Sequence, residues 1–159
     1  MKVIYPGTFD PITLGHLDII KRASRIFSSV TIGVAQDTRK NTIFSLEERV
    51  RMIEQEVAHI KNVEVIGFTG LLVDFARKND VHTMVRGLRA VSDFEYEFQL
   101  AYVNRKMNHK IDTVFLPSTE EGHFISSSFA REIARLGGDL SQLVSVNVAN
   151  MLIAKVHYL

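Results

Sequence analysis

At 159 residues, with 46% hydrophobic and 23% charged side chains, the chain is long enough to bury a full core and reads as one domain spanning 1–159. Its 19 Lys and Arg nearly cancel its 18 Asp and Glu, and a formal charge of +1 excludes the global field that would draw a protein to nucleic acid or an anionic membrane. The absence of cysteine removes disulfides, thiolate nucleophiles and sulfur metal sites together; with no leader pattern ahead of Val3 and no apolar run of membrane-spanning length, the expected location is cytoplasmic.

Val3-Ile4-Tyr5 is an apolar run that ends in Pro6-Gly7-Thr8-Phe9-Asp10-Pro11, and a helical pattern takes over at His16. That first helix is expected from about Leu17 to Phe27, with Leu17, Ile20, Ser24 and Phe27 along one face. Val30 to Ala35 reads as a buried strand, followed by a polar loop over 36–42 that holds Arg39 and Lys40. Ser45 and Glu48 form a capping box, opening a helix striped by Leu46, Val50, Ile53, Val57 and Ile60. Val63 to Ile66 is the third strand, and Phe68-Thr69-Gly70 turns into a helix over 71–78.

A short fourth strand, Thr83-Met84-Val85, runs into Arg86-Gly87-Leu88-Arg89. Ser92 and Glu95 predict a second capping box for a long helix reaching about Met107. Two apolar rows mark that helix, Phe94, Phe98, Ala101 and Tyr102 beside Tyr96, Leu100, Val103 and Met107. A surface helix needs one such row, so one is expected on the sheet and the other on another subunit. Thr113 to Leu116 is the fifth strand, Ser126-Ser127-Ser128 opens a helix that Gly137-Gly138 ends, and a last helix lies within 147–157. Strands alternating with helices predict an α/β fold, a Rossmann-like, doubly wound, five-stranded parallel sheet with helices on both faces.

Ligands of open α/β sheets bind at the carboxyl ends of the strands, and a helix N-terminus there presents free N–H groups to anions. The turn after the first strand adds a hydroxyl at Thr8 and an imidazole at His16. Gly7-Thr8-Phe9-Asp10-Pro11, followed by Thr13-Leu14-Gly15-His16, is similar to the signature of the nucleotidyltransferases, a Thr or His two places before Gly-His. The likeness continues through Arg86-Gly87-Leu88-Arg89, Asp93-Phe94-Glu95-Tyr96-Glu97 and Phe124-Ile125-Ser126-Ser127-Ser128. Together these motifs resemble the branch of bacterial phosphopantetheine adenylyltransferases, over nearly the whole chain.

The resemblance implies transfer of the adenylyl group of ATP to 4′-phosphopantetheine, the penultimate step of coenzyme A synthesis, giving dephospho-coenzyme A and pyrophosphate. It implies direct in-line attack without a covalent enzyme intermediate, and a homo-hexamer. The attacking phosphate oxygen is already anionic, so positioning and electrostatics carry the reaction. His16 is the expected donor to the α-phosphate, and Thr8 would hold the acceptor phosphate while the Thr8 and Phe9 backbone meets ATP.

By the same likeness Lys40 and Arg86 bind the acceptor phosphate and stabilise the reaction, and Leu72 lines the pantetheine arm. Gly87, Leu88, Arg89, Glu97, Gly122, His123, Phe124 and Ile125 fall at ATP-contacting positions. Gly122 departs from the aromatic residue common there. Taken alone, Lys40 is a solvated charge, Glu97 an ordinary helix acid and Leu72 a core residue. Ser126, Ser127 and Ser128 serve equally as caps or as a cradle for the β- and γ-phosphates.

Mg²⁺ is implied with ATP, its main ligands being phosphate oxygens. No metal site built from protein side chains is expected, since the six histidines show no ligand spacing. Walker-A, Gly-x-Gly-x-x-Gly and Gly-x-Ser-x-Gly patterns are absent from the sequence. The rival readings are a nucleotidyltransferase acting on nicotinamide mononucleotide or a phosphorylated alcohol, and a non-catalytic nucleotide-binding regulator on the same fold.

Overall fold

In a computed structural model describing residues 1–36, 41–89, 91–119 and 125–157, the first strand, β1 (Lys2–Gly7), buries Val3, Ile4 and Tyr5 completely or nearly so. A strand buried on both faces belongs inside a sheet. The remaining strands are β2 (Ser29–Ala35), β3 (Val63–Phe68), β4 (Thr83–Leu88) and β5 (Asp112–Pro117), and all five pair in parallel in the order β3-β2-β1-β4-β5. The helices are α1 (Leu14–Ile26), α2 (Leu46–Val57), α3 (Leu72–Lys78), α4 (Val91–Met107), α5 (Ser127–Arg135) and α6 (Val146–His157). The expected doubly wound sheet is therefore what forms.

Period-two alternation along β1 sends its side chains into separate cores. Val3 and Tyr5 join Ile20, Met52, Ile53, Ala130 and Leu152 beneath α1, α2, α5 and α6. Ile4 joins Val73, Phe75, Met84 and Ile111 on the α3 side, where α4 also packs, the Asn104 amide lying 3.8 Å from the Met84 sulfur. Each fully buried aliphatic side chain contributes about 1.5–3 kcal/mol, so these two layers carry most of the fold. The chain winds from β1 outward through β2 to β3, then crosses back to β4 and β5 on the other side of β1. Connections after β1 and β4 thus leave in opposite directions, which opens a crevice at their carboxyl ends.

Local signals account for most element ends. The Ser45 hydroxyl accepts from Glu48 N–H at 3.2 Å while the Glu48 carboxylate accepts from Ser45 N–H at 2.7 Å, the expected capping box. Gly137, at φ +70°, ends α5, and Gly138 N–H donates back to the Ile133 carbonyl at 2.9 Å. Two starts differ from expectation. α1 begins at Leu14 rather than near Leu17, because Thr13 is its N-cap and Leu14-Gly15-His16 is the first turn. α4 begins at Val91, ahead of Ser92, so Ser92 stands inside the helix rather than before it.

α4 also differs in how it faces the sheet. The inward stripe is Asp93, Glu97, Leu100, Ala101 and Asn104, with Glu97 and Asn104 buried. Phe94, Tyr96, Phe98, Tyr102, Val103 and Met107 are all exposed by 46–65%. Neither apolar row is the packing face: the helix turns a polar seam inward and apolar side chains out, because the carboxylates of that seam have arginine partners at the end of β4.

Candidate active site

The turn after β1 folds back on itself. Phe9 sits at φ 51°, a left-handed conformation that costs a non-glycine residue about 1–3 kcal/mol, and its ring is 3% exposed. That ring covers Gly7 so closely that a Cβ there would lie 2.8 Å from Phe9 Cζ. It also stands edge-on to Tyr5 at 5.5 Å and to His16 at 5.0 Å between centroids. Glycine at position 7 is what admits the ring, and the buried ring offsets the strained backbone.

Two buried charged residues brace this turn, and the sequence reading assigned a role to neither. The Asp10 carboxylate accepts from Ile43 N–H at 2.9 Å and Phe44 N–H at 3.0 Å, tying the turn to the segment before α2. Arg49, 1% exposed, donates from Nη1 to the Thr8 carbonyl at 2.6 Å and the Ala35 carbonyl at 2.8 Å. Its Nε reaches the Phe44 and Ser45 carbonyls at 3.2 and 3.3 Å. A signal for Arg49 existed: it lies three residues after Leu46 and four before Ile53, on the apolar stripe of α2.

His16 is the N3 residue of α1, and its side chain closes a capping box usually closed by Glu or Gln. The Thr13 N–H donates to His16 Nδ1 at 3.0 Å, and Thr13 Oγ1 lies 2.9 Å from the same nitrogen. An Nδ1 that accepts a backbone N–H carries no proton, so the neutral ring is protonated on Nε2. Burial, then the nearby Arg89 and Arg86 charges, push the His16 pKa down to about 3. The imidazole is thus a neutral Nε2–H donor, and among the described residues that N–H has no partner.

At the end of β4, Arg86 meets Glu97 of α4 through two parallel bonds, Nε to Oε2 and Nη2 to Oε1, each 2.6 Å. Its Nη1 donates to the Pro6 carbonyl at 2.7 Å. Burial works against the Arg86 charge, but the Glu97 carboxylate more than compensates, and its pKa lies above the ordinary arginine value. Burial likewise pushes the Tyr5 hydroxyl up, so it stays protonated. Arg89 donates from Nε to Asp93 at 3.1 Å and from Nη1 to the Ile125 carbonyl at 3.1 Å.

The serines at the start of α5 divide their work. Ser126 is the N-cap, accepting from Phe129 N–H at 3.1 Å; Ser127 donates to the Pro11 carbonyl at 2.8 Å; Ser128 accepts from Arg131 Nη2 at 3.2 Å. Arg131, which the sequence reading passed over, also donates to the Asp10 carbonyl at 2.5 Å, bridging α5 to the first turn.

These groups surround one cavity of about 810 Å³ at the carboxyl ends of the strands. Thr8, Phe9, His16, Leu72, Arg86, Gly87, Arg89, Glu97, Ile125, Ser126, Ser127 and Ser128 all line it. Leu88 is not on the wall; its carbonyl instead accepts from Ser118 N–H at 2.7 Å. Ser118 does line the cavity, and among the described residues its buried hydroxyl has no hydrogen-bond partner. Lys40, Gly122, His123 and Phe124 lie outside the described residues. The His16 imidazole and Arg86 guanidinium, far apart in sequence, therefore share one space.

The fold has counterparts among known proteins. The chain superposes on the crystal structure of a bifunctional NMN adenylyltransferase/ADP ribose pyrophosphatase from Francisella tularensis with a TM-score of 0.73 and 17% identity, over 96% of this chain and 48% of that one. A second structure of a bifunctional NMN adenylyltransferase/ADP ribose pyrophosphatase from that organism, complexed with AMP and a Mn ion, gives a TM-score of 0.67 and 16% identity over 99% and 53%. The chain thus spans about half the length of these structures, and at such identity they establish the fold. A model of the cytidylyltransferase-like family matches residues 4–133, which includes most of β1, the His16 turn, the Arg86 strand and most of α5. On that match, the chain belongs to the cytidylyltransferase-like family.

Proposed function

We propose that the chain transfers the adenylyl group of ATP to 4′-phosphopantetheine, giving dephospho-coenzyme A and pyrophosphate. The observation that carries this reading is the shared cavity, in which a neutral imidazole donor and a braced guanidinium face the glycine turn of β1. An acceptor phosphate oxygen attacks the α-phosphorus, the bond to the bridging oxygen breaks, and pyrophosphate leaves with that electron pair. No base is required. Held in line, the reactants gain about 7–11 kcal/mol from proximity alone.

Residue roles follow from position. His16 Nε2–H donates to the α-phosphate oxygen on which charge grows, and being neutral it needs no proton from solvent. Thr8, Arg86 and, by the family likeness, Lys40 hold the acceptor phosphate, while Leu72 flanks the apolar arm. Ser126, Ser127 and Ser128, at a helix N-terminus beside Arg131, face the outer phosphates of ATP. Arg89 adds charge beside them. The pairing of Arg86 with Glu97 and Arg89 with Asp93 supports the phosphopantetheine branch, because the two motifs that mark it in the sequence interlock as one unit.

The acids on the cavity wall bear on the metal. Asp10 is held by two backbone N–H groups, Asp93 by Arg89 and Glu97 by Arg86, so none of them is spare for a cation. The residues therefore fit Mg²⁺ carried on the phosphates of ATP, where it would neutralise their charge. The Francisella structure complexed with AMP and a Mn ion supports the pairing of nucleotide with divalent metal. The exposed apolar side of α4 supports self-association, and the family likeness makes the assembly a homo-hexamer.

Pyrophosphate release measured with ATP and each acceptor separates the readings. We expect turnover with 4′-phosphopantetheine and none with nicotinamide mononucleotide or a phosphorylated alcohol. Turnover on nicotinamide mononucleotide instead would overturn the acceptor assignment, and no release with any acceptor would favour a non-catalytic regulator.

A further inference from the structure

Glu97 stands at a position that the motif likeness gives to an ATP contact, but its geometry points elsewhere. Both of its carboxylate oxygens receive N–H groups of Arg86 at 2.6 Å, in the fork-to-fork arrangement that suits guanidinium and carboxylate. The third arm of the same guanidinium is fixed on the Pro6 carbonyl, one residue before the glycine turn. Both side chains reach the cavity wall, but at 11% exposure that of Glu97 is the more buried of the two, against 23% for Arg86. A bare carboxylate beside a triphosphate would repel it. Arg89 and Asp93 form a looser pair by comparison, one contact of 3.1 Å between side chains exposed by 42% and 29%.

We infer that Glu97 is a positioning residue for Arg86: it aligns the guanidinium and keeps it immobile, so that the remaining Arg86 N–H groups face the phosphate monoester of the acceptor. The inference rests on the reading of Arg86 as an acceptor ligand. Glu97 clamps the planar group from α4, Pro6 from β1, and the direction of the free N–H groups is then fixed by the plane. With that clamp gone, the arginine keeps its charge but loses its aim, and the loss falls on the substrate that the arginine holds.

Steady-state pyrophosphate release by the full chain tests this with Glu97→Gln, Arg86→Ala and the double variant. Glutamine keeps the shape of Glu97 and one oxygen acceptor but no charge. The expected result for Glu97→Gln is a KM for 4′-phosphopantetheine raised about 10- to 100-fold, with the KM for ATP moved less than about threefold. In the Arg86→Ala background the same change is expected to cost nothing further, since there is no guanidinium left to aim. Glu97→Asp keeps the charge on a shorter stem and should restore part of the loss; it also substitutes if Glu97→Gln does not fold. A rise confined to the KM for ATP, or a full additional loss on top of Arg86→Ala, overturns the inference. Should Arg86→Ala raise the KM for ATP alone, the acceptor reading fails instead, while the coupling between the two side chains is still read from the cycle.

Discussion

The tautomer of His16 is decided three residues upstream. Helix starts favour Glu at N3 because its carboxylate can accept the N-cap N–H; an imidazole does this with Nδ1 and so gives up that nitrogen as a protonation site. With the His16 pKa at about 3, no step in the activity profile near pH 6.5 should come from this residue, and kcat/KM from pH 6 to 8 should lack a histidine inflection that His16→Ala removes. His16→Ala itself should lower kcat by about 10²–10³; unchanged turnover would end the donor role. Stability carries the same signature. Between about pH 6.5 and 3 the unfolded chain binds a proton at this site and the folded chain does not, so stability falls on acidification, by at most about 1.4 kcal/mol per pH unit. Urea unfolding at pH 5 and pH 6.5 should show a smaller difference for His16→Gln than for the parent.

Among the elements, the turn between β1 and α1 is held by neighbours remote in sequence. Asp10→Ala removes the acceptor of two N–H groups, at Ile43 and Phe44, and should cost roughly 2–4 kcal/mol, read as a fall in melting temperature of about 5–15 °C. Gly7→Ala drives a Cβ against the Phe9 ring, which cannot easily yield between Tyr5 and His16. We expect a stability loss of about 1–3 kcal/mol and a larger proportional loss of kcat, because the displaced ring contacts the imidazole proposed as the donor; an equal-activity Gly7→Ala would show that the ring is not its support. What could be read ahead of the structure follows the same division. The Ser45–Glu48 box, the strand runs and the Gly137 stop are decided within a few residues and formed where they were read, although β3 runs past Ile66 to Phe68 and β4 past Val85 to Leu88, so that Arg86 lies within its strand. Asp10 could not be read this way, because it accepts from a backbone N–H 34 residues away; the place of Arg49 on the α2 stripe marks its burial, but nothing local announces the Thr8 carbonyl 41 residues away that it meets. The orientation of α4 escaped for another reason: with apolar residues on most of its circumference, periodicity had no single face to choose, and the choice fell to the ion pair at Arg86.

For the whole molecule, α4 poses the remaining problem. Phe94, Tyr96, Phe98, Tyr102, Val103 and Met107 lie exposed on a helix whose inner seam is committed to Arg86, Arg89 and Met84. Side chains of this size, left in water, cost about 1.5–3 kcal/mol each against burial, and a monomer rarely leaves so many together. On the self-association proposed above, a second copy of the chain covers this surface, since a symmetric contact lets each α4 cover another. Light scattering should accordingly give a multiple of the chain mass, and Phe98→Glu with Tyr102→Glu, one helical turn apart on the outer side, should return it to a monomer with its helical circular dichroism intact. A monomeric mass for the parent chain would remove the assembly. Activity should fall with the mass in the double variant, because the helix on which we place the interface also carries Glu97: once its outer face is solvated, the proposed clamp on Arg86 rests on an element held from one side only, and the KM for the phosphorylated acceptor should rise before the KM for ATP does.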